Sequence, residues 1–129
     1  YEIRLSLVGS EMCIRDSAVI TDIPRGSDSY YAEFFGPVAE VYKVSSDEEA
    51  VELANDSLYG LGGAVFSMDE GRAKAVADRL EVGMANVNTP AGMGAELPFG
   101  GVKQSGYGRE LGPEGMDEFV NKQLYYVAE

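Results

Sequence analysis

Apolar and polar positions along this chain fall into two alternating periods, one of strands and one of helices. Ala18 to Ile23 carries Val19, Ile20, Thr21 and Ile23, a β-branched run that reads as a strand and is ended by Pro24 and Gly26. Ser27 to Phe35 stays open between a short helix and a loop. Val38 to Val44 is a second strand, with Val38, Val41 or Tyr42, and Val44 available for burial. Ser46 with Glu49 three residues later has the form of a capping box, and Ala50, Leu53, Ala54 and Leu58 repeat at helical spacing, so a helix is expected from Asp47 to Ser57. Tyr59 to Gly63 breaks it. Ala64 to Met68 reads as a short buried strand, and Asp69 as the N-cap of a helix through Leu80 with Ala73, Val76, Ala77 and Leu80 on one stripe.

Gly83 ends that helix and Met84 to Asn88 resumes as strand. Gly112-Pro113 opens another helix, with proline in the first turn where its missing N–H costs nothing, and Met116, Phe119 and Val120 are expected to face inward. Leu124 to Val127 reads as a last strand. Such alternation argues an α/β layer architecture with a mainly parallel sheet and flanking helices.

Composition narrows the function classes. At 129 residues, 45% of them apolar, the chain has the size of one domain with one modest core. A net charge of −12 argues against nucleic acid or an anionic membrane as partner, because a polyanion needs a basic face. No apolar run approaches the roughly 20 residues of a membrane span. One cysteine supports no disulfide framework, which fits a cytoplasmic protein. The absence of histidine excludes a Ser-His or Cys-His pair within the chain, leaves any metal site to carboxylates alone, and makes no metal the expectation.

Eight of the sixteen glycines fall between Gly92 and Gly115, around the stretch Glu96 to Glu110. A phosphate cradle fails on spacing, because Lys103 follows Val102 and no Gly-Lys pair exists. A dinucleotide fingerprint fails too, since Gly106-x-Gly108 places Leu111 where the third glycine belongs. A surface loop whose glycines only make turns remains open, although long loops without secondary structure are uncommon in compact domains unless they serve a function.

Four motifs carry a resemblance: Glu33-Phe34-Phe35-Gly36-Pro37-Val38, Asn55-Asp56-Ser57-x-Tyr59-Gly60-Leu61, Gly83-x-x-x-Val87-Asn88, and Pro98-Phe99-Gly100-Gly101-Val102-Lys103-Gln104-Ser105-Gly106 with Gly108-Arg109-Glu110. In this order and at these intervals they resemble the C-terminal part of the aldehyde dehydrogenase superfamily, over essentially all of residues 18–129. The resemblance implies the C-terminal part of that family's catalytic domain plus a terminal oligomerisation strand. It also implies oxidation of a small-molecule aldehyde: a cysteine thiolate attacks, hydride passes to NAD or NADP, and water hydrolyses the thioester. Glu33 matches the carboxylate that accepts hydrogen bonds from the nicotinamide ribose, and Phe35 the aromatic beside the nicotinamide. Phe99 matches a wall of the aldehyde tunnel, Glu110 a buried carboxylate implicated in proton transfer, and Asn88 a positioning residue beneath the site. The bland alternatives are a core role for Phe99 and an ion pair of Glu110 with Arg109. The phrasing around Asn88-Thr89-Pro90 and Gly115 to Asn121 resembles bacterial succinate-semialdehyde dehydrogenases most, although Gly94 stands where some of that group place a serine suited to a substrate carboxylate.

Leu7 to Asp16 resembles the conceptual translation of a transposase sequencing adaptor read in frame. Residues 1–17 are therefore expected to be a non-native segment, residues 18–123 a partial catalytic domain and residues 124–129 a strand shared between subunits of a homodimer or homotetramer. An ordinary strand from Ile3 to Val8 is the alternative for the first segment. Cys13 lies within it and its neighbours Glu11, Met12 and Ile14 do not match the family's nucleophile, so the chain alone is expected to be inactive. The competing function is a free-standing acidic α/β module that binds partners without catalysis.

Overall fold

A computed structural model describes residues 2–5, 17–92 and 94–129, which form two compact units, Tyr1–Ser46 and Asp47–Glu129. The first is a three-stranded sheet in sequence order. β1 (Glu2–Leu5) pairs antiparallel with β2 (Ser17–Thr21), which pairs parallel with β3 (Val38–Val41). The adaptor-like segment otherwise lies outside the described residues. The open stretch after Gly26 resolves into a short 3-10 turn, Asp28–Tyr31, capped at Ser27, whose hydroxyl accepts from the Tyr30 N–H. β3 stops three residues before the expected end, and its alternation puts Val38 and Glu40 on the half-buried face while Val41 and Val44 are exposed. The Tyr42 hydroxyl donates to Glu40 Oε2 at 3.0 Å, which gives that carboxylate a partner on its own face. Burial, and after it the Glu40 hydrogen bond and charge, pushes Tyr42 up to about 12.

The second unit begins with α1 (Asp47–Asn55), whose first turn holds Asp47, Glu48 and Glu49 where the helix dipole favours negative charge. It ends two residues short of the expected Ser57. Asn55 explains the stop: its Nδ2 donates to the Arg79 carbonyl at 2.8 Å and its Oδ1 accepts from the Glu81 N–H at 2.8 Å, tying the helix end to a distant turn. β4 (Tyr59–Gly60) then pairs antiparallel with β7 (Val102–Lys103), and β5 (Gly62–Val65) pairs parallel with β6 (Met84–Val87). α2 (Glu70–Ala77) packs on β5 and β6 through Ala73 and Ala77, both buried. Its N-cap is Asp69 as expected, with Oδ1 accepting from the Arg72 N–H at 3.0 Å. It ends three residues before Leu80 because the Arg79 and Leu80 N–H groups turn to carbonyls only three residues back, Val76 and Ala77.

The α/β class holds, with helices flanking small sheets, but the parallel pairs sit in separate units instead of one sheet. Four sequence expectations need correction. The modest core reduces to Val51, Ala73 and Ala77 as the buried apolar side chains among the described residues. The strand expected at Ala64 to Met68 begins at Gly62 and is half-buried, and Phe66 and Met68 lie beyond it in solvent. Met116, Phe119 and Val120 do not face inward. α3 (Gly112–Asp117) stops before two of them, and its protein-facing position is Gly115, so they remain 69%, 88% and 57% exposed. Leu124 to Val127 forms no ladder in the single chain and is exposed, because a strand needs a partner edge and no described residue supplies one.

Candidate functional site

Three of the four motifs meet at one place in the second unit, and glycine lets them meet. The Gly83 N–H donates to the Gly60 carbonyl at 2.9 Å, and the Met84 N–H to the Leu61 carbonyl at 3.1 Å. On its other side Gly83 lies so close to the Gly100 carbonyl that a Cβ would overlap it. Gly60 is buried, and a Cβ there would stand 2.6 Å from the Glu81 carbonyl oxygen. Backbone thus touches backbone where side chains would normally intervene.

The polar residues of the last motif hold this junction. Ser105 Oγ accepts from the Gly60 N–H at 3.1 Å. Lys103, itself at φ +54°, sends its ammonium to the Asn55 and Ser57 carbonyls at 2.7 and 3.2 Å and to Glu81 Oε2 at 2.8 Å. A cation there satisfies carbonyls left open at the C-terminus of α1 and meets the negative end of its dipole. The signature lysine is therefore a clamp, a role its sequence context did not announce.

Phe99 and Glu110 lie directly opposite each other. The Phe99 N–H donates to the Glu110 carbonyl and the Glu110 N–H to the Phe99 carbonyl, each at 2.7 Å, forming a one-pair antiparallel bridge. Among the described residues Arg109 makes no ion pair with Glu110; its Nη1 donates instead to the Gly101 and Gly108 carbonyls at 2.9 and 2.6 Å. The Arg109 N–H donates to Glu118 Oε1 at 3.3 Å. Phe99, Glu110, Arg109, Tyr107 and Phe119 line a cavity of about 660 Å³, within the range of small-molecule sites. Phe99 also lines a second cavity of about 490 Å³ with Asn86, Pro90 and Leu97, so it borders both. Glu110, matched by the resemblance to a buried carboxylate, is exposed.

Asn88 sits at φ +56° just past β6, where its Oδ1 accepts from the Ser67 N–H at 2.9 Å and its N–H donates to the Val65 carbonyl at 2.8 Å. It ties the ends of β5 and β6 together. Asn86, which the sequence reading passed over, does similar work: Oδ1 accepts from Gly92 N–H at 2.9 Å and Nδ2 donates to the Gly63 carbonyl.

Glu33 and Phe35 belong to the first unit, on the segment between the 3-10 turn and β3, and both are exposed. Phe35 is 92% exposed at φ +44°, an uncommon backbone for a bulky residue. The Val38 N–H closes a tight turn on the Gly36 carbonyl at 2.8 Å, and the Pro37 carbonyl accepts from the Ala18 N–H at 2.9 Å, so the segment is pinned beside β2. The Glu33 carboxylate and the Phe35 ring therefore stand two residues apart on one exposed segment. Among the described residues no helix is long and apolar enough to cross a membrane.

The aldehyde dehydrogenase family model matches residues 9–124. The chain is 57% identical over 106 residues to the NADP(+) succinate-semialdehyde dehydrogenase of Deinococcus radiodurans, covering 82% of this chain and 22% of that protein. It is 45% identical over 106 residues to the chloroplastic betaine aldehyde dehydrogenase of Atriplex hortensis, covering 82% and 21%. Among solved structures, succinic semialdehyde dehydrogenase from Streptococcus pyogenes in complex with NADP+ matches with a TM-score of 0.80 and 52% identity, over 87% of this chain and 25% of that one. The chain therefore spans about a fifth to a quarter of the length of these relatives. The resemblance drawn from the four motifs is borne out.

Proposed function

Since the chain belongs to the aldehyde dehydrogenase family, we propose that residues 18–129 form the C-terminal part of the catalytic domain of an enzyme that oxidises an aldehyde to a carboxylic acid. The observation that carries this reading is the Phe99–Glu110 bridge at the wall of a cavity of about 660 Å³, built by the family signature itself. The relatives named for succinate semialdehyde favour a short semialdehyde as substrate, and their cofactor favours NADP, with NAD as the other candidate.

Bound nicotinamide would supply the hydride acceptor. Glu33 would accept the hydrogen bonds of its ribose hydroxyls, and Phe35 would offer the ring face beside it. Phe99 presents flat apolar surface that keeps water from the reacting carbon until it is needed. Glu110 has a carboxylate at the same wall, placed to take a proton from water when the acyl group is released. Asn88 shapes the floor without touching the chemistry. The thiolate of the family reaction is not assigned to Cys13, so residues 18–129 alone are inactive, and the complete enzyme is a cytoplasmic homodimer or homotetramer joined through Leu124 to Val127.

The test is Glu110→Gln in the enzyme expressed from the complete gene. Turnover of succinate semialdehyde should fall by about two orders of magnitude, the scale of a lost general base, with cofactor affinity unchanged. Glu33→Gln should do the reverse and weaken cofactor binding. Unaltered kinetics in both variants would remove these roles, and aldehyde oxidation by purified residues 18–129 would overturn the division of labour.

A further inference from the structure

Leu111 follows Glu110 directly and sits at φ +62°, ψ 172°. That region of backbone space is essentially reserved for glycine, because a Cβ there crowds the adjoining peptide groups. The residue is not held there by its side chain, which is 51% exposed. Its neighbours hold it. On one side the Glu110 N–H and carbonyl are both committed to Phe99 at 2.7 Å. On the other, the Gly112 N–H donates to the Ala95 carbonyl and the Gly115 N–H to the Leu111 carbonyl, each at 2.9 Å. Gly115 is buried against Glu110 so closely that a Cβ would lie 2.9 Å from the Glu110 carbonyl carbon. The chain must leave the Phe99 ladder and enter α3 within a single residue. An ordinary extended backbone at Leu111 would carry the strand onward, swing α3 off the Glu110 peptide and turn the Glu110 side chain.

We infer that Leu111 is a positioning residue: its left-handed corner ends the Phe99–Glu110 ladder after one pair and holds Glu110 at the cavity wall. The role rests on the reading of Glu110 as the proton-transfer group. Strain persists at a position when the surroundings over-determine it, and such positions concentrate where a functional group must be aimed. Here four main-chain hydrogen bonds and one glycine contact do the over-determining.

The experiment compares Leu111→Gly with Leu111→Ala in the enzyme expressed from the complete gene. Both remove the leucine isopropyl group and differ only in Cβ, so their difference reports what a Cβ costs at this backbone conformation. At an ordinary position alanine is the more stable of the two. At this corner Leu111→Gly should melt higher than Leu111→Ala, by about 2–4 °C. Glycine also opens other conformations to the corner. Deuterium exchange across residues 99–111 should therefore be faster in Leu111→Gly than in the wild type, and kcat should fall about tenfold with the aldehyde KM unchanged, as for a misplaced catalytic group. Alanine melting at or above glycine overturns the inference, as does a Leu111→Gly enzyme with wild-type exchange or wild-type kcat. If the wild-type enzyme oxidises no aldehyde, the reading of Glu110 falls and the positioning role falls with it, while the melting order still reports whether the corner is strained.

Discussion

The junction of Gly60, Gly83 and Gly100 and the segment from Met116 to Val127 belong to the same unit and are built in opposite ways. At the junction almost nothing but main chain is present, and it is closely packed: carbonyls and N–H groups pair across three motifs, with Lys103 and Ser105 closing the gaps. In the segment the side chains are large and apolar, and they stand in solvent, Leu124 at 89% and Tyr125 at 87% exposure. The junction is satisfied within the chain. The segment is left in solvent. In the proposed oligomer this row of exposed leucine, tyrosine and valine is the surface that a second subunit would cover.

That contrast can be broken most severely at the junction. Gly83→Ala places a methyl group on the Gly100 carbonyl, with backbone on both sides and nothing flexible to yield. It should cost about 3 kcal/mol or more, and denaturant unfolding should show the loss or the protein should fail to accumulate. Lys103→Met removes the cation from two carbonyls and from Glu81. The expected loss is about 2 kcal/mol, with little recovery in Lys103→Arg because a planar fork does not match three converging acceptors.

The segment should respond differently. Leu124→Asp should shift unfolding by less than about 0.5 kcal/mol in the single chain, the usual range for exposed sites, yet dissociate the complete enzyme in sedimentation. Equal loss of stability in the single chain would erase the contrast. The smallest effect is expected at the rim of the same unit, where Arg72 holds Asp47 through Nε and Nη2 at 2.7 and 2.6 Å. That hydrogen bond keeps the Asp47 carboxyl below its ordinary value. Because the folded pKa is depressed, the stabilisation is present above the unfolded carboxylate pKa and lost as pH falls through the folded value. Unfolding curves of wild type and Asp47→Asn should therefore differ slightly at neutral pH and coincide in strong acid.

Much of the layout was legible in the chain. Period and capping located α2 and its Asp69 cap, α1 from Asp47, and the β5–β6 region, because these depend on neighbours within a turn or a strand. The four motifs brought Phe99 and Glu110 into the same list of candidates. What the sequence did not show is that the two residues face each other, that Arg109 is committed to the Gly101 and Gly108 carbonyls, or that Lys103 reaches across to α1. Helical spacing also placed Met116, Phe119 and Val120 inside, and there it misled, because period says which residues share a face and nothing about whether a partner lies on it.

By itself, then, the amino-acid order determined the family, the alternation of elements and the residues to watch, since propensity, capping and motif spacing are local. Tertiary structure decided which glycines permit backbone contact, that Leu111 adopts a glycine's conformation, and that Glu110 stands at an open wall instead of inside one. Those outcomes depend on groups far apart in the chain competing for the same space, and no local pattern records who wins.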